Sequence, residues 1–159
     1  MPTPLPTAEI LTVCDAVAGA IQAAAAVYGE AVTVERVYLG PVTLKNVSGC
    51  KVFVFPGKYA NSPVNRAEDG WEYAVTVVIC QRYEPQGEPP TAWLDTRVNF
   101  VQTCVNDALD FSRDPLTFAT TRELWTASAE VVVYDDARLD EEKLFWSQVA
   151  FGFTENKGA

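Results

Sequence analysis

The sequence predicts an α+β protein: a mostly antiparallel or mixed β-sheet with two main α-helices packed on one face. Two periodicities predict it. Apolar residues recur at three- and four-residue steps over residues 7–28 and 92–111, the spacing of one helical face. They alternate over 71–83 and 122–134, the spacing of a strand with one face buried. A third observation is order: one helix, three strands, one helix, then strands to the end, within 159 residues that suit a single domain. The expected organisation is a flexible lead over residues 1–6, one domain over 7–154 and a flexible tail over 155–159.

The lead, Met-Pro-Thr-Pro-Leu-Pro, has no basic flank before an apolar stretch and does not read as a signal peptide. Thr7 is the candidate cap of the first helix. Ile10, Val13, Cys14, Val17, Ile21, Ala24, Ala25 and Tyr28 define its buried face, and Gly29 ends it. Val32 to Leu39 is rich in β-branched residues and reads as a strand, punctuated by Gly40-Pro41; residues 42–49 suit a short strand or a loop. Lys51 to Phe55 reads as a second strand, closed by Pro56-Gly57. The polar stretch 57–70 reads as a loop, and a loop of that length is usually functional. Lys58, Tyr59, Asn61, Asn65 and Arg66 are its candidate docking residues.

Trp71 to Tyr83 is the strongest strand. Trp71, Tyr73, Val75, Val77 and Ile79 share one face, while Val78 and Cys80 make the other apolar, so a central place covered on both sides is expected. Thr91 is the candidate cap of the second helix, which runs from about Ala92 to Phe111. Its core face is Leu94, Val98, Val101, Val105, Ala108 and Leu109, widened by Trp93, Phe100, Cys104 and Phe111. Arg97 projects inside that arc. It is either a stem with a wet head or an interface arginine that meets an acidic residue of a neighbouring chain. Residues 116–119 suit a short strand and 124–134 a longer one. Asp135 to Glu142 suits a charged turn with some helix, and Lys143 to Thr154 the last strand.

The chain has no histidine and a net charge of −9. That removes the commonest general base and metal ligand, and with no clustered basic residues it removes the usual nucleic-acid footprint. No run approaches 18 apolar residues, so no membrane span is expected. The four cysteines have no C-x-x-C spacing; three lie in apolar segments, so Cys14, Cys80 and Cys104 are expected reduced and buried. The sequence holds no G-x-S-x-G or S-x-x-K, and the acidic run Asp135–Glu142 lacks a calcium-loop pattern. No enzyme activity, catalytic residue, cofactor or metal is expected.

The order of elements carries a resemblance. An amphipathic helix and a strand pair lead to W-E-Y-A-V-T-V-V-I-C-Q-R-Y, then to a helix with D-T-R-V-N-F-V-Q. A tryptophan strand, the turn Y-D-D-A-R-L and a final F-W-S-Q-V-A-F close the chain. Over about residues 7–154 this resembles the small neck and tail-completion proteins of tailed bacteriophages, especially tail terminators. The resemblance implies a virion structural protein, made in the host cytoplasm, that forms a homo-oligomeric ring, commonly a hexamer. The ring caps the tail tube and docks it to the neck and connector proteins, and genome DNA passes through its bore without sequence-specific binding. A neck adaptor or a tube-like minor tail protein fits the same pattern. A cytoplasmic protein-binding module is the alternative of another class.

Overall fold

A computed structural model describes residues 2–38, 49–63, 68–119 and 121–158. Three helices and six strands make an α+β fold. The elements are α1 (Glu9–Val27), β1 (Val32–Arg36), β2 (Cys50–Pro63), β3 (Glu68–Arg82), α2 (Thr91–Thr103), β4 (Leu116–Phe118), β5 (Arg122–Val132), α3 (Asp136–Glu142) and β6 (Leu144–Gly158). The sheet order is β1-β2-β3-β6-β5-β4, with β1 parallel to β2 and every other pair antiparallel.

The main core lies between one face of this sheet and the two long helices. Val13, Cys14, Val17 and Ile21 of α1 are fully buried against Val52, Val54, Tyr73, Val75, Val77 and Ile79. Phe100, Val101 and Cys104 close the same core from the second helix, with Leu109 and Phe111 beyond its end. By length and composition alone α1 could cross a membrane, but six of its residues pack into this core. Tyr28, expected inside, is exposed at the end of α1, where it follows the last helical residue; its hydroxyl donates to Asp107.

Several boundaries differ from expectation. Neither long helix has a side-chain cap: Ala8 and Pro90 occupy the cap positions, and Thr91 is already the first residue of α2. The second helix also changes type. From Cys104 to Ala108 it widens to a π turn, closed by the Leu109 amide donating to the Cys104 carbonyl at 2.9 Å. Residues 42–48 lie outside the described residues.

The expected loop 57–70 is mostly strand. β2 runs on to Pro63 and β3 begins at Glu68, with Tyr59 opposite Tyr73 and Asn61 opposite Trp71. Pro56 and Gly57 are the residues that suggested a stop. Pro56 is tolerated because β1 ends beside Val54, which leaves β2 as an edge strand from there on. A bulge between Pro56 and Tyr59 then resets the register. A Cβ at Gly57 would lie 2.6 Å from the Ala74 carbonyl oxygen, so only glycine permits that approach.

The expected tail is also strand: β6 pairs with β3 as far as Gly158 opposite Glu68. β3 is therefore central, paired on both sides along most of its length. Its two-sided cover is partial. Val78 and Cys80 pack with Phe53 and Leu144 on the face away from the two long helices, whereas Glu72 and Ala74 on that face are exposed.

Candidate assembly surface

The outer edge of β5 is one of two long stretches of strand edge with no described neighbour, the other being β2 beyond Val54. At the start of β5, β4 covers the outer edge through Leu116–Phe118 opposite Arg122–Leu124. At Thr126 the loop after the π turn takes over. The Thr126 hydroxyl donates to the Leu109 carbonyl at 2.6 Å and accepts the Phe111 amide at 3.0 Å, while its own amide donates to the Phe111 carbonyl. Beyond that point no described strand lies on the outer edge of β5.

Residues 127–134 are exposed throughout. Val131 and Val132 at the end of β5, and Val133 and Tyr134 just past it, are between 37% and 55% exposed, four consecutive apolar side chains at an edge with no described strand beside it. Such an edge templates the pairing of another chain unless something protects it. Proteins commonly place lysine or proline there, and this stretch has neither.

On the helix side, the gap between this strand and the second helix forms a groove of about 260 Å3. Val98, Val101, Val105, Val131 and Val133 line it, with Gln102 and Asn106 at its rim. The π turn contributes two of these residues, Val105 and Asn106. A shallower hollow of about 370 Å3 lies across the sheet between β2, β3, β5 and β6, bounded by Lys58, Tyr59, Glu72, Ala74, Ser128 and Gly152 among others.

The residues singled out in the sequence fall elsewhere. Lys58, Tyr59 and Asn61 are exposed on the outer half of β2, as ladder residues of a strand, and the Tyr59 ring sits 6.2 Å from that of Trp71. Asn65 and Arg66 lie outside the described residues. Arg97 is not a free interface cation. Its side chain is 12% exposed, it donates to Gln81 Oε1 at 2.7 Å, and its acidic neighbour is Glu30 of the same chain at 3.5 Å. The helix face that buries its stem also brings its head between α1 and β3.

Among the described residues, a deeply buried ionic cluster lies inside the fold. Glu155, 1% exposed, accepts two hydrogen bonds from Arg122, at 2.5 and 2.6 Å, and a third from the Tyr73 hydroxyl at 2.9 Å. Arg122 also reaches Glu9 at 2.5 Å and lies over the Phe118 ring. The bonded Glu155 carboxylate holds the Arg122 guanidinium above its ordinary value. Burial, reinforced by the bond to Glu155, does the same for the Tyr73 phenol. These contacts clamp the start of α1 to β3, β5 and β6, and they leave both groups in their ordinary charge states at neutral pH.

All four cysteines are free and buried, Cys50 included. Burial pushes the thiols of Cys14, Cys80 and Cys104 up to about 12, so at neutral pH they are protonated and poor nucleophiles. The acidic run forms α3, with Asp135 capping it by accepting the Arg138 amide at 3.1 Å. Among the described residues no group of His, Cys, Asp and Glu is placed to hold a metal ion.

Sequence reading placed β5 but missed its role. The available signal was the loss of alternation at Val131-Val132-Val133-Tyr134, since a strand with one wet face does not carry four apolar residues in a row. Compared with known proteins, the chain matches no protein-family model and no curated sequence.

Proposed function

We propose that this chain is a structural subunit that works by self-assembly into a closed ring. In a tailed bacteriophage virion it acts at the head–tail junction or upper tail, as a tail terminator that caps the tube and docks it to the neck. The observation that carries the assembly part is the outer edge of β5 at residues 127–132, beside which no described strand lies, with the exposed apolar residues 131–134 at its end. A heterologous contact repeated about an axis closes into a ring where the rotation allows it. The virion setting rests on the resemblance in element order. A charge of −9 agrees with it, because such a surface repels DNA and lets it slide through a bore.

The test is sedimentation velocity and negative-stain imaging of the protein alone and with tail-tube assemblies. Rings with a central hole, alone or on tube ends, are expected. Lysines at Val131 and Val133 should abolish the rings and leave a folded monomer, since an edge lysine is a natural block to pairing. A wild-type protein that stays monomeric with tubes present, or that binds duplex DNA tightly at physiological salt, refutes the proposal.

A further inference from the structure

The segment that precedes α1 has an unusual backbone pattern. In Pro2-Thr3-Pro4-Leu5-Pro6-Thr7, proline occupies every second position. In an extended chain the N–H and C=O of one residue point to the same side, and those of the next point to the other. Thr3, Leu5 and Thr7 therefore offer complete donor–acceptor pairs along one edge. Pro2, Pro4 and Pro6 offer carbonyls alone along the other, because proline has no N–H. A residue before proline is also held in extended backbone, which affects Thr3 and Leu5. Such a segment pairs as a strand on one side and cannot be extended on the other.

The same segment lies on no surface of its own chain. Residues 2–8 are all exposed, and Leu5, its single large apolar side chain, is 92% exposed. The open edge of β5 offers what the segment lacks. As strand it runs over residues 127–132, about 20 Å at strand spacing, against about 23 Å for residues 2–8. The segment carries no charge, and the edge carries a single one, Glu130. Beside the edge is the apolar groove of about 260 Å3 lined by Val98, Val105, Val131 and Val133.

We infer that residues 2–8 of one copy add as a strand to the outer edge of β5 in a neighbouring copy. Thr3, Leu5 and Thr7 pair with β5, Leu5 fills the groove beside α2, and the prolines face outward. The occupant is thus a second copy of this chain, through a named segment. The prolines finish the sheet, so the contact links neighbours without a route to open-ended strand stacking. This inference rests on the self-assembly reading above and names the contact that holds it.

Disulfide trapping tests it. The native thiols are buried, so cysteines placed at exposed positions are the reactive ones. Leu5→Cys and Val133→Cys proteins are prepared separately, mixed at high concentration with tail tubes present, and oxidised mildly. A disulfide-linked dimer that contains one chain of each kind is expected in the mixture, together with protection of Leu5→Cys from alkylation. A Leu5→Cys and Thr33→Cys mixture, which probes the opposite sheet edge, should not link. If the wild type assembles and the mixture does not link, the inference fails and the assembly reading stands. If the wild type remains monomeric and nothing links, both fail. A protein carrying both Leu5→Cys and Val133→Cys that closes only within one chain also overturns the inference, since the segment then folds back on its own β5.

Discussion

Replacing Arg122 with methionine tests whether the buried cluster is a clamp. Arg122 donates two hydrogen bonds to a carboxylate that is 1% exposed, and Tyr73 donates another. Methionine keeps an apolar stem but removes the cation, and with it the guanidinium over the Phe118 ring. Glu155 then keeps the Tyr73 hydroxyl but loses its cation while it remains buried. Breaking a buried pair from one side costs about 3–5 kcal/mol, because the remaining charge is uncompensated. For a chain of this size each kcal/mol lowers Tm by about 2–4 °C, so a fall of about 6–20 °C is expected. The double variant Arg122→Met/Glu155→Leu leaves no buried charge and should recover most of that loss. Urea unfolding followed by tryptophan fluorescence, and thermal unfolding followed by circular dichroism, read both effects. The reasoning is refuted if Arg122→Met costs less than about 1 kcal/mol, or if the double variant is less stable than the single one.

Two further predictions concern the interior. Gly57→Ala should destabilise by about 1–3 kcal/mol, since its Cβ meets the Ala74 backbone oxygen at 2.6 Å and backbone cannot step aside. Gly152→Ala meets only the Ser128 hydroxyl, which can rotate away, so its urea midpoint should fall by clearly less; equal losses would show that the bulge at residues 56–59 does not depend on this approach. Stability should also fall in alkali. The thiols of Cys14, Cys80 and Cys104 have an ordinary value of 9.0 and stay protonated in the fold to about 12. Between those values the unfolded chain has lost protons that the folded chain keeps, so stability decreases as pH rises, by up to about 1.4 kcal/mol per pH unit for each thiol. Urea midpoints that do not change between pH 8 and about pH 10.5 would contradict this, and Cys104→Ala should flatten the dependence.

By itself the sequence determined the number and type of the main elements, because periodicity is a local property. Val13, Cys14, Val17 and Ile21 at helical spacing, and Tyr73, Val75, Val77 and Ile79 at strand spacing, are the buried faces that pack together. It also determined that Cys14, Cys80 and Cys104 are interior, since apolar neighbours in the chain become apolar neighbours in the core. The polar halves of β2 and β6 were illegible. A strand held by the ladder to a central partner needs no apolar signature of its own, so Gly57–Pro63 and Glu155–Gly158 read as loop and tail. Only the tertiary structure decided the rest. Arg97 finds its partners in Glu30 and Gln81, residues far from it along the chain, though its Nε stays without one among the described residues. The same holds for β5. Whether a strand is central or an edge depends on sheet order, which arises from pairings between distant segments. β6 inserts between β3 and β5, and β4 ends after three residues, so the valines at 131–133 are left at an open edge. In the sequence they were one more strand.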